Sequence, residues 1–204
     1  FADMHLRNVS ERFDFDSVRV GIQPFNADFR GFLFQDVPVG VRLFGIRDNN
    51  QLQYNLAYFR RLEKDTNSGL NDLSQPVRRD HLFVANVYKQ DFPVVGYTTQ
   101  ATIIHNINRE AGRDYYDTNG FLVRPAVVGD VRPHNYRVTY LGLNGDGHFG
   151  VWNLTSSLYA ALGTDDRNPI AQKRQTIRAG IVAGFLLAAA PRQRLVGNRR
   201  QGSI

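Results

Sequence analysis

Four arginines, Arg19, Arg42, Arg137 and Arg178, each stand in a short run whose side chains alternate, and each falls opposite apolar neighbours. A guanidinium is a fixed cation with a planar fork of donors, suited to carboxylate, phosphate or sulfate. Gathered from separate strands into one lumen, the four would bias it toward anions; on a soluble sheet they would be ordinary solvent-facing charges. The residues that could do other chemistry are scattered. His5, His81, His105, His134 and His148 stand at no metal-ligand spacing, so neither a metal nor a cofactor is expected. "NGDGH" (144–148) has oxygens spaced as in a calcium loop but lacks the distal bidentate glutamate, and its Asn-Gly and Asp-Gly pairs read as a hairpin turn. No G-x-S-x-G elbow occurs, and Asp165 and Asp166 sit in a polar loop where solvation explains them. An enzyme is not expected.

The elements that would carry the arginines are strands. In "QLQYNLAYF" (51–59), Leu52, Tyr54, Leu56 and Tyr58 share one face and Gln51, Gln53, Asn55 and Ala57 the other. The same period of two recurs in runs at about 17–23, 29–34, 39–46, 81–89, 93–105, 121–128, 135–143, 148–162 and 175–187. About ten strands in succession predict an all-β fold. Tight turns such as "RDNN" and "KQDFP" contrast with long polar loops near 62–80, 106–120 and 163–174, as in an up-and-down barrel that visits each end in turn. The pattern breaks midway, where the link at 129–134 and the "NGDG" turn are both short; a helix at 153–162, begun at Asn153 and ended at Gly163, would repair it.

The 204 residues suit one domain, with 42% apolar and 22% charged residues and no apolar run long enough for a membrane helix. A membrane role would have to use strands. The net charge of +6 is carried mostly by arginine, and the absence of cysteine excludes disulfides and thiolate chemistry. The organisation read from this is a β segment over 1–187 and a basic tail, 188–204, expected to be disordered. The opening "FADMHLRN" carries neither an initiator methionine nor a signal peptide, which reads as a piece of a longer chain.

Tyr54, Tyr58, Tyr97, Tyr136 and Tyr140 lie near the ends of apolar faces, where an aromatic girdle would meet lipid headgroups. "VRVGIQPFNADFRGFLFQD" and "YLGLNGDGHFGVWNLTSSLYAALGTDDRNPIA" resemble strand-turn-strand stretches of bacterial outer-membrane porin-like barrels. The resemblance implies an antiparallel up-and-down transmembrane β-barrel or an open part of one. It also implies an outer-membrane location, lipid and small solutes as partners, and passive passage of anionic solutes past the arginines, with no nucleic acid expected. The competing expectation is a soluble β-sandwich or jelly roll that binds acidic glycans or nucleic acid with its arginine face.

Overall fold

A strand with unlike faces satisfies its backbone by pairing at both edges and its apolar side chains by sharing one surface with its neighbours. The computed structural model describes residues 1–188, which are all β. In chain order the strands are β1 (Ala2–Asn8), β2 (Phe15–Ile22), β3 (Phe25–Asn26), β4 (Gln35–Asp36), β5 (Val39–Arg47), β6 (Leu52–Arg60) and β7 (Asp80–Lys89). They continue as β8 (Tyr97–Arg109), β9 (Tyr115–Tyr116), β10 (Leu122–Arg124), β11 (Asn135–Phe149), β12 (Trp152–Asp165) and β13 (Gln175–Ala188). Nine of them form one antiparallel sheet in the order β1-β2-β5-β6-β7-β8-β11-β12-β13, with β3-β4 and β9-β10 as separate two-stranded ribbons. Neighbours in the sheet are neighbours in sequence once the ribbons are set aside, so the expected up-and-down meander is present. It does not close on itself: β1 and β13 are its two edges. Of the stretch 188–204 expected to be disordered, Ala188 ends β13 and the rest lies outside the described residues.

The connections alternate strictly. Every link at one end is long (23–38, 61–79, 110–134 and 166–174), and every link at the other is short (9–14, 48–51, 90–96 and 150–151). Four sequence expectations are corrected here. "NGDG" is not a turn: Asn144, Gly145, Asp146 and Gly147 run straight through β11, paired with Ser157, Ser156, Thr155 and Leu154. Gly145 is needed for space rather than bending, because a β-carbon there would overlap the hydroxyl of Tyr97 lying across it. The chain reverses two residues further on, at Gly150 (φ 60°) and Val151, between the paired Phe149 and Trp152. With β11 continuous there is nothing for a helix at 153–162 to repair, and that segment is strand β12. The run at 121–128 contributes only the three residues of β10, inside a long link, and 29–34 is a bend between β3 and β4. "RDNN" does turn, with Asp48, Asn49 and Asn50 at φ 58°, 54° and 68°, a conformation that Asp and Asn tolerate better than other side chains.

The link 23–38 folds back over one face of the sheet. Phe25, Ala27 and Phe34 from this link pack with Phe59, Leu82, Val84 and Ile104 from β6, β7 and β8 to form the buried core. Among the described residues no second sheet lies on the other face. The sheet therefore has a covered face and an open one.

Candidate functional site

The register decides which side chains share each face. Directly opposed residues trace a row across all nine strands: Met4, Val18, Leu43, Leu56, Ala85, Ile103, Leu141, Ala160 and Gly180. This row lies on the open face, and most of its large members are exposed, Leu56 by 51% and Ile103 by 52%, with Val18 and Leu43 half-buried. The rows two residues to either side add Val20, Val41, Phe83 and Leu162, and Val87, Leu143, Leu158 and Val182, also exposed. Polar margins bound the band, with Arg60, His81 and Arg137 toward the long links and Arg47, Lys89 and Thr99 toward the short turns.

The covered face interleaves the apolar core with polar side chains. Asn55, Asn86, Gln100, Thr102, Asn106, Asn108, Asn144 and Ser157 are all buried there. Several of them anchor the folded-back link. The Ala27 carbonyl accepts from Asn86 Nδ2 (3.1 Å), Gln100 Nε2 (2.8 Å) and Thr102 Oγ1 (3.0 Å), while Gln100 Oε1 accepts from the Phe29 amide (3.0 Å). Next to Ala27, the Asp28 carboxylate accepts the amides of Arg30 (2.8 Å), Phe32 (3.1 Å) and Leu33 (2.8 Å). A buried carbonyl or carboxylate met by three donors is a fixed point, since leaving any of them unpaired is costly.

Of the four arginines, Arg19 and Arg42 face each other across β2 and β5 on the covered face. Arg19 forms a two-pronged pair with Asp3 (2.5 and 2.7 Å). Arg42 donates to the neutral Asn55 (2.7 Å) and stacks over Phe25 and Phe44. Arg137 and Arg178 lie on the open face, so the register does not bring the four together. The physical reason is that Tyr136, Val138 and Tyr140 of β11, and Ile177, Ala179 and Ile181 of β13, point to the covered face, which sends the alternate arginines the other way.

The tyrosines divide likewise. Tyr54, Tyr58 and Tyr97 are on the open face near its margins. Tyr54 donates to Asp16 under the Arg47 guanidinium, the Tyr58 hydroxyl is 2.8 Å from His81 Nδ1, and the Tyr97 hydroxyl is 2.9 Å from Ser156 Oγ. Tyr136 and Tyr140 are on the covered face, beside a cavity of about 340 Å³ between the folded-back link and β11 to β13.

A chain of ion pairs that the sequence did not announce ties the long links together. Arg124 meets Glu63 (2.6 Å) and Glu110 (2.9 Å), Arg78 meets Glu110 (2.8 Å) and Asp80 (3.6 Å), and Arg61 meets Asp80 (3.5 Å). Burial pushes the Glu110 carboxyl up, but the Arg78 hydrogen bond and the charges of Arg78 and Arg124 outweigh it and hold Glu110 below its ordinary value of 4.5. A lowered carboxyl contributes stability that is complete above pH 4.5 and is lost as the pH falls through the folded value. Glu110→Gln leaves two guanidiniums short of a partner and should cost about 2–3 kcal/mol near pH 7, less than a fully buried pair because Arg78 and Arg124 still touch water. It should also flatten the loss of thermal stability as the pH falls below 4.5. A variant that melts with the wild-type pH dependence would remove Glu110 from this role.

The signal for the anchoring face was present as amides at every second position, Asn106 and Asn108 on β8 for example. Nothing local marked Asp28 or the ion-pair chain, whose members come from two separate links and the start of β7. Compared with known proteins, the chain matches no family model, no curated protein and no solved structure. The geometry defines the class: a nine-stranded antiparallel meander, apolar where open and, where covered, carrying an apolar core interleaved with buried amides.

Proposed function

We propose that this sheet is an arc of the wall of an outer-membrane-type β-barrel, its open face against lipid and its covered face against an aqueous interior that passes small solutes. The observation that carries the reading is the exposed apolar band running unbroken across nine strands. A water-soluble sheet does not leave so wide an apolar band open to water, whereas here the band is bare although the other face already holds a core under the link 23–38. The dimensions agree. On β7 the margins Lys89 and His81 are about 27 Å apart at about 3.4 Å per residue, or about 20 Å in height for a strand tilted by about 40°, close to the roughly 25 Å of a barrel's apolar band. Tyr54 and Tyr58, half-buried on the open face, stand where aromatic girdles stand, whereas Tyr97, 6% exposed, is packed with Phe149 over Gly145. Strict alternation of short turns and long links is the connectivity of such walls. Lipid tolerates no unpaired strand edge, so on this reading β1 and β13 are joined by further strands. On the interior side Arg19 is neutralised by Asp3, and a preference for anions rests on Arg42, whose partner is the neutral Asn55.

Refolding from urea with and without detergent micelles tests the reading. The expected result is a β-type circular dichroism spectrum only with micelles, and a band that shifts on boiling. Cooperative folding in plain buffer would mean that the apolar band is covered by protein, and the wall reading would fall.

A further inference from the structure

We propose that the rim of the open face at the long links binds the phosphate of an anionic lipid that carries a phosphomonoester, an inference that rests on the wall reading. Arg79, Arg109, Arg137 and Arg174, all exposed, border one hollow there of about 440 Å³. They come from four places in the chain, and the register gathers them. Arg137 stands opposite Ile107 on β8 and Thr164 on β12. The ladder then runs on past the strand ends: the Arg109 amide donates to the Arg79 carbonyl (2.9 Å), and the Asp166 amide to the Asn135 carbonyl (3.0 Å). Arg174 directly precedes Gln175, the partner of Asp165.

The two margins of the apolar band differ in how their charges are met. Toward the short turns Arg47 pairs with Asp16 (2.7 Å) and Lys89 with Asp48 (2.9 Å). Toward the long links none of the four arginines forms an ion pair among the described residues, although Asp166 borders the same hollow. Like charges held together repel, and an anion shared between them relieves the repulsion. A phosphomonoester suits the place: it carries a charge of about −1.5 to −2 near pH 7 on three oxygens, and each guanidinium can meet two of them. What adjoins the hollow favours a lipid over a free phosphate. Ile107 lines it, and the exposed Phe83 and Leu162 stand in the next row toward the middle of the band. A lipid offers its phosphate and then its acyl chains in that order.

The test is the thermal midpoint of protein refolded in maltoside micelles, followed by circular dichroism as phosphatidic acid, phosphatidylglycerol or phosphatidylcholine is mixed in. A ligand that binds only the folded protein raises the midpoint. The expected result is a saturable rise with phosphatidic acid, a smaller one with the phosphodiester phosphatidylglycerol, and none with phosphatidylcholine. Arg109→Gln and Arg137→Gln should each weaken the apparent affinity for phosphatidic acid about fivefold. In plain micelles both should melt no lower than wild type, because no ion pair is broken. Lys89→Gln makes the same change of charge at the paired margin and should leave the affinity as it was. No rise for protein whose heat-shifted band shows it folded in micelles, or an equal loss of affinity in Lys89→Gln, overturns the site and leaves the wall reading standing. An equal rise with inorganic phosphate would give the arginines to a soluble anion and overturn the lipid. Protein that folds in plain buffer and is stabilised there by heparin would remove the wall, and the lipid with it.

Discussion

Ile103→Arg is expected to destabilise the lipid-embedded protein by about 2–4 kcal/mol, whereas Ile107→Arg, four residues along the same face of β8, should cost about 1 kcal/mol or less. Ile103 sits in the central row between Ala85 and Leu141, and Ile107 sits in the margin row with His81 and Arg137. In a bilayer the penalty for a guanidinium depends on depth, because a marginal side chain reaches headgroups and water while a central one does not. In water both positions would be ordinary surface sites, and both substitutions would fall within about 0.5 kcal/mol of neutral. Denaturant titration in lipid vesicles, followed by the emission of the single tryptophan Trp152, gives both numbers. A clear gap between them supports a lipid-facing band. Equal and small effects would place the band in water or against protein, and the proposed wall would be lost.

The period of two was legible throughout, and with it most of the meander. What it could not carry was sidedness. Within β11 the alternation of Tyr136, Val138 and Tyr140 against Arg137 and Thr139 is plain, yet it does not say which set faces the same way as Leu56 of β6. That is fixed by register across intervening strands, through Arg137 opposite Ile107, Ile107 opposite His81 and His81 opposite Arg60. A shift of one residue anywhere in that series would exchange the faces. The apolar set of β11 is instead drawn to the covered face near the long links, where Tyr140 packs against the core formed by the folded-back segment. Arg137 follows from that packing. Turn chemistry misled for a different reason: Asn-Gly and Asp-Gly favour reversal locally, but at 144–147 the missing side chains make room for Tyr97 and its neighbours, and the strand pairing on both sides keeps the chain straight. "RDNN" had no such competing role and turned as its composition predicts.

The folded-back segment is the other half of the covered face, and Asp28→Ala is expected to release it. The carboxylate is 1% exposed and accepts three amides within five residues of itself, which closes the bend from Asp28 to Leu33. Hydrogen bonds to a charged acceptor contribute about 1.5–3 kcal/mol each, and water entering a loosened bend restores part of them, so the loss should be about 3–5 kcal/mol. Asp28→Asn grades the effect. Its remaining oxygen can still serve Arg30 and Phe32, which both bond Oδ1, while its amide would confront the Leu33 amide donor to donor. It should therefore lose less than the alanine variant. Trypsin cleavage after the exposed Arg30 reports on the bend directly, and the thermal midpoint of the refolded protein reports on the whole. Cutting at Arg30 should accelerate in the order wild type, Asp28→Asn, Asp28→Ala. The same release would free the Ala27 carbonyl from Asn86, Gln100 and Thr102, and Phe32 from Tyr159, so the aromatic cavity should lose its roof with the anchor. Cleavage and melting unchanged in Asp28→Ala would mean that Phe25 and Phe34 alone hold the segment down, and that the amides of the covered face serve the interior rather than the anchor.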